Sequence, residues 1–354
     1  MGSLFIKGKP NMETKWIKTN EVSISEYREA IATGAELLHS GQLVAFPTET
    51  VYGLGANALD AAAAQKIYAA KGRPSDNPLI VHISFIDMLE DLVAEISPVC
   101  RRLAFEFWPG PLTMILPKSD KIPYTTTGGL DTVAVRMPGH GVALDLIDAA
   151  ALPVAAPSAN LSGKPSPTRA EHVFEDMAGR VPLLLDGGAV EIGVESTIID
   201  LTLPEPVILR PGKITYEAIK PFVPRLKQPR QVQLDNGQHP KAPGMKYRHY
   251  APDAEVILVP QGDAGLQLLA NAPGGEKACV IFSQARWEEA NKIIQPEKKI
   301  IFAAEDGCEY VAQQLFHLFR QCDKEGIEVI YVEEFSEEGF GAALMNRIKK
   351  AAAR

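Results

Sequence analysis

Between Pro221 and Pro252 the chain repeats proline and loses its apolar periodicity. Such a stretch cannot bury a continuous core, so the polypeptide must fold as two bodies joined by a semi-rigid connector. The charges divide at the same place. Residues 1–223 carry 19 Lys+Arg against 26 Asp+Glu and residues 251–354 carry 11 against 17, whereas residues 224–250 hold six cations and one acid. A basic connector therefore links two acidic bodies. The sequence predicts a larger domain over 1–223, a connector over 224–252 and a smaller domain over 253–354. A length of 354 residues suits that division, since domains commonly run to ~100–200 residues.

The net charge of −8 argues against a general nucleic-acid binder. No apolar run is long enough to span a bilayer, and MGSLFIKGKP lacks the apolar core of a signal peptide. Myristoylation fails because Ile6 stands where Ser or Thr is needed. Cys100, Cys279, Cys308 and Cys322 form no CxxC pair. That pattern suits a reducing compartment and offers no zinc spacing, so the expected location is cytoplasmic with no membrane contact.

Helical periods alternate with short apolar runs, the signature of an α/β protein. Ser23-x-x-Glu26 is a capping box opening a helix that ends before Gly41. A second helix runs from about Asp60 to a stop at Gly72, and Ser97-Pro98 starts a third. LVAF, LIVHI, PLTMIL, TVAVRM, PVAA, PLLL, STIIDL and PVILR read as strands. Only Thr202–Glu205 separate the last two, too few residues for a crossover, so they pair antiparallel and the sheet is mixed. After the connector, EVILV, ACVIF, KIIF and EVIYV alternate with helices, which predicts a small Rossmann-like parallel sheet.

Polar groups cluster after the first domain's strands. LVAF is followed by PTETVYGLG, PVAA by PSANLSGKPSPT, and the turn KGRPSDNP leads into LIVHI. Ser196 and Thr197 open one strand, Arg210 closes another, and Arg136 lies inside TVAVRM. Loops beyond strand ends are where α/β sheets hold ligands, and many donors with few carboxylates suit a polyphosphate. Each loop alone also reads as an ordinary turn, His82 as a core histidine and Arg136 as half of a structural ion pair. The coincidence weighs more: cations recur at these positions in an acidic domain. No P-loop, dinucleotide fingerprint, H-E-x-x-H or G-x-S-x-G elbow is present.

FPTETVYGLG, K-x-R-x-x-x-N-P-L-I-V-H at 71–82, WPGPLT, VAVRMP, APSANLSG, ESTIID and LRPG together resemble the threonylcarbamoyl-AMP synthase family, of YrdC-like fold. APGMKYRHYAP at 242–252 is similar to the signature of its longer, two-domain branch. Ala242 departs from the serine common there, which touches one peripheral hydrogen bond. The resemblance implies a twisted mixed sheet with helices, followed by a Rossmann-like parallel domain. It implies the reaction of L-threonine, bicarbonate and ATP, the last with Mg2+, to threonylcarbamoyl-AMP and pyrophosphate. A separate tRNA threonylcarbamoyltransferase would use the product. Carried over by residue, the threonine site falls on Thr50, His82, Arg136, Ala156 and Ser196. The ATP site falls on Lys71, Arg73, Asn77, Thr132, Ser158, Ser166 and Arg210. Lys71, Arg73 and Arg136 would be catalytic, with no metal site built by the protein. Lys246, Tyr247, Arg248 and Tyr250 would form a lid over the pocket.

Two other readings belong to different classes. A domain of this fold could act as an RNA-binding module, although the acidic balance disfavours a stable nucleic-acid complex. A carbamoyltransferase related by fold ranks last, because the expected cysteine-rich zinc segments are absent.

Overall fold

The computed structural model describes residues 12–227, 240–243, 250–272, 277–303 and 306–353. The first body contributes strands β1 (Lys15–Lys18), β2 (Val44–Phe46), β3 (Gly53–Asn57), β4 (Ile80–His82), β5 (Leu112–Pro117), β6 (Thr132–Arg136), β7 (Val154–Ala155), β8 (Leu183–Asp186), β9 (Thr197–Asp200) and β10 (Val207–Arg210). They form one sheet in the order β1-β8-β2-β3-β7-β4-β6-β5-β9-β10. It is mixed as expected. β4 and β6 run parallel, β5 and β6 antiparallel, and β9 and β10 pair antiparallel across their short turn.

Capping fixes the flanking helices. In Ile24–His39 the Glu26 amide donates to Ser23 Oγ (3.3 Å) and the Ser23 amide donates back to Glu26 Oε2 (2.8 Å). Helix Ala61–Lys71 starts on Asp60 and stops on Gly72, whose φ of 61° is left-handed. That stop turns the chain sharply between Lys71 and Arg73.

β3 was not expected, because its segment reads as a glycine-bearing loop. Its glycines answer a packing demand. A Cβ at Gly55 would lie 2.7 Å from Phe46 Cε1 and 2.8 Å from Val154 Cγ1. The strand can sit between β2 and β7 only without that side chain.

The second body holds β11 (Glu255–Val259), β12 (Ala278–Ser283), β13 (Lys298–Phe302) and β14 (Val329–Glu333). Their order is β11-β14-β12-β13, all parallel, as the sequence predicts. The described parts of the connector pack rather than float. Leu226 joins the first core, and Tyr250 joins the second. Ala242 is fully buried among Ile80, Ile115, Ala134 and Ile198, an apolar setting in which a methyl group fits.

The two bodies interlock. Ile192 and Val194 of the first pack into the core of the second. Arg320 Nη2 reaches back to Asp176 (2.7 Å) and to the Pro165 carbonyl (2.6 Å). Between Ile192 and Val194, Gly193 takes φ +82°, and a Cβ there would lie 2.3 Å from Gln313 Cα. Gly193→Ala therefore combines backbone strain with overpacking and is expected to cost about 3 kcal/mol or more. Gly326→Ala, also left-handed at φ +71° but facing open space, should cost about 1 kcal/mol. Urea unfolding of both variants checks the contrast, and equal losses would mean that the close approach carries no strain.

Candidate active site

A cleft of roughly 610 Å³, counting the open solvent at its mouth, lies where the loops after β2, β7 and β8 converge on the ends of β6 and β10. Its walls include Thr50, His82, Arg136, Ala156 and Ser196. They also include Arg73, Ser158, Ser166, Arg210 and Tyr250. Lys71, Asn77 and Thr132 do not line it. Lys246, Tyr247 and Arg248 lie outside the described residues.

Arg136 ends β6, where its neighbour in register is His82 on β4. Its Nε donates to the Gly110 carbonyl (3.3 Å) and Nη1 to Thr50 Oγ1 (3.0 Å). Glu49 Oε2 lies 2.6 Å from Nη2, an ion pair without hydrogen-bond alignment. The guanidinium thus reaches the cleft with its charge already shared. His82 Nδ1 lies 3.2 Å from the Ile80 carbonyl, within hydrogen-bond reach. Burial and the nearby Arg136 push the His82 imidazole down to about 3, so it is neutral at physiological pH.

Arg73 donates from Nε to the Asn77 carbonyl (3.3 Å) and from Nη2 to the Pro78 carbonyl (3.1 Å). Asn77 thereby acts behind Arg73, through its backbone. Burial lowers the Arg73 guanidinium to about 10, and at neutral pH it remains a cation. The Lys71 ammonium donates to the carbonyls of Ser158 and Asn160. It braces the Pro157–Asn160 loop from behind, and burial together with Arg73 lowers its pKa. Thr132 stands at the opposite end of β6 from Arg136, which removes it from the cleft.

On the facing wall, Arg210 donates from Nε to the Ser196 carbonyl and from Nη2 to Ser196 Oγ, each at 3.0 Å. Ser196 Oγ also meets Thr113 Oγ1 at 2.7 Å. Ser166 Oγ donates to Glu195 Oε1 at 2.5 Å. Burial alone would raise the Glu195 carboxyl, but Arg347, Arg210 and the Ser166 bond outweigh it and hold it below the ordinary range. Tyr250 is buried with φ +66°, is hydrogen-bonded by Arg210, and stacks at 5.4 Å on Phe316 of the second body.

Sequence reasoning missed Glu49, Glu195 and Arg347. Glu49 and Glu195 sit inside quoted segments, PTETVYGLG and ESTIID, and a search for donors alone passed over them. Glu195 is the only acid lining the cleft among the described residues, where Arg73, Arg136, Lys164 and Arg210 bring positive charge. No group of three His, Cys, Asp or Glu among those residues could hold a metal ion.

A family model described as Telomere recombination matches residues 36–212, and the model of the threonylcarbamoyl-AMP synthase C-terminal domain matches 214–353. Threonylcarbamoyl-AMP synthase from Pyrococcus abyssi is 49% identical, covering 93% of this chain and 95% of its own. The Bacillus subtilis enzyme of the same name is 44% identical, covering 96% and 98%. The crystal structure of P. abyssi Sua5 complexed with L-threonine superposes with a TM-score of 0.85 at 47% identity, covering 96% of this chain and 97% of that one. The fold and cleft are those of a nucleotidyl-transferring enzyme of two domains. The chain belongs to the threonylcarbamoyl-AMP synthase family, in its two-domain branch.

The buried imidazole has a consequence for stability. Between about pH 3 and 6.5 the unfolded chain binds a proton at His82 that the folded chain does not. The His82 contribution to folding stability is therefore fully present above pH 6.5 and falls with pH below it. From pH 7 to pH 5, His82 accounts for about 2 kcal/mol of that loss. His82→Gln should flatten the fall by this amount in urea unfolding at the two pH values, and an unchanged slope would place a charged or exposed imidazole there.

Proposed function

We propose that the cleft holds ATP and L-threonine side by side and joins them through a carbamate. Threonine's amine forms a bond to the carbon of bicarbonate, a C–O bond breaks and water leaves, which gives the carbamate. One of its oxygens attacks the α-phosphorus, the bond to the bridging oxygen breaks, and pyrophosphate leaves. The observation that carries this reading is electrostatic: several cations face one cleft whose single lining carboxylate among the described residues, Glu195, is already paired with Arg347 and hydrogen-bonded by Ser166. Such a site holds two anions close together and lowers their mutual repulsion, which is catalysis by positioning and charge. No enzyme nucleophile is required.

In this reading Arg73, Ser158, Ser166 and Arg210 take the nucleotide. Thr50, His82, Arg136, Ala156 and Ser196 take threonine, with Arg136 on its carboxylate. Because Glu49 shares the Arg136 charge, the planar fork matters there as much as net charge. Lys71 and Asn77 serve the nucleotide indirectly, through the 157–160 loop and through Arg73. Magnesium enters with the triphosphate as part of the substrate, because both oxygens of Glu195, the one carboxylate lining the cleft among the described residues, already accept a hydrogen bond and its charge is paired with Arg347. The mixed anhydride is labile, so its consumer is a second enzyme, a tRNA threonylcarbamoyltransferase. The acidic surface balance disfavours a lasting complex with the RNA itself. Free thiols at Cys100, Cys279, Cys308 and Cys322 suit the cytoplasm.

Pyrophosphate release should require ATP, threonine and bicarbonate together. Arg136→Lys should raise the KM for threonine about tenfold, with the KM for ATP near wild type, because a point charge cannot replace the fork. Arg73→Ala should lower kcat/KM for ATP about a hundredfold. An Arg136→Lys enzyme that loses ATP binding and keeps threonine binding would reverse the two assignments.

A further inference from the structure

The second body has a parallel sheet, and such sheets ordinarily hold ligands beyond the carboxyl ends of their strands. Here those ends are occupied by the protein itself. Glu333, at the end of β14, accepts from the Ser283 amide (2.6 Å), Ser283 Oγ (3.1 Å) and Gln261 Nε2 (3.0 Å). What the second body does offer is a side chain sent into the first.

Arg347 lies on the helix Gly341–Ala352 and is fully buried. Its Nε donates to Glu195 Oε2 at 2.9 Å and its Nη2 to the Glu195 carbonyl at 3.2 Å. Nη1 donates to the Pro211 carbonyl at 2.8 Å and to Asn346 Oδ1 at 3.1 Å. One guanidinium thus bonds the residue before Ser196 and the residue after Arg210, the two cleft residues already joined by hydrogen bonds. Its carboxylate partner holds Ser166 Oγ from the other side. The guanidinium carbon also lies 5.6 Å from the Tyr250 ring. Yet Arg347 does not line the cleft. Arg347 is the cation bonded directly to the Glu195 carboxylate, so its removal would slacken that carboxylate's hold on Ser166 and loosen the Arg210 turn.

We propose that Arg347 is a positioning residue of the nucleotide site, acting through Glu195 on Ser166 and through Pro211 on Arg210. The second domain is thereby a working part of the active site. This rests on the assignment of Ser166 and Arg210 to the nucleotide.

The full-length protein tests it through Arg347→Lys, Ser166→Ala and the double variant. Lysine keeps one charge and loses the fork. Arg347→Lys should raise the KM for ATP about tenfold and leave the KM for threonine within about twofold, with an unfolding midpoint near wild type. The double variant should be no worse for ATP than the worse single variant, because one residue acts through the other. Additive losses would overturn the route through Glu195 to Ser166, and equal losses for ATP and threonine would make Arg347 a structural residue only. An unchanged KM for ATP in Arg347→Lys, beside a raised one in Ser166→Ala, would overturn the inference alone. An unchanged KM for ATP in Ser166→Ala would overturn the nucleotide assignment and the inference with it.

Discussion

A guanidinium or ammonium taken out of water must find an oxygen for its donors, and around this cleft the backbone supplies many of them. Arg73 uses the carbonyls of Asn77 and Pro78, Lys71 those of Ser158 and Asn160, Arg136 that of Gly110 and Arg210 that of Ser196. Each of these groups therefore closes a loop, and Arg73, Arg136 and Arg210 charge the cleft as well. The same donors that would meet an anion also dictate where the loops run. Carbonyl oxygens carry no net charge, so this arrangement satisfies the donors without cancelling the field. Where carboxylates do intervene, at Glu49 and Glu195, they trim the excess to what the surrounding fold can bury.

Much of the fold was legible because short apolar runs with turn residues at their ends leave few alternatives. The four strands of the parallel sheet, the mixed character of the large sheet and the caps at Ser23, Asp60 and Ser97 all follow from local chemistry. β3 was illegible for an equally physical reason. Glycine within a strand weakens every local signal of a strand, and only the Phe46 ring and Val154, distant in sequence, explain why it is there.

The site divides along the same line. Arginines and hydroxyls at strand ends can be picked out one loop at a time. Their partners cannot, because Arg136 meets Glu49 and Glu195 meets Arg347 only once separate segments have folded together. The resemblance placed Lys71 and Asn77 among the ATP contacts, whereas the geometry sets them behind the cleft wall, supporting Ser158 and Arg73. Sequence similarity marks positions that matter without saying whether they touch a ligand or hold something that does.

Ile192 and Val194, set into the other body's core on either side of a glycine with no room for a methyl group, bear on inheritance. The two halves do not behave as interchangeable cassettes. A chimaera joining residues 1–227 to a relative's second domain would bring a plug shaped for a different socket, and the mismatch would fall in the middle of a core. Residues 192–194 belong by descent of chain to one half and by packing to the other. Substitutions there are therefore answerable to changes along the helix Gly307–Lys324, and the two segments are bound to drift as a pair.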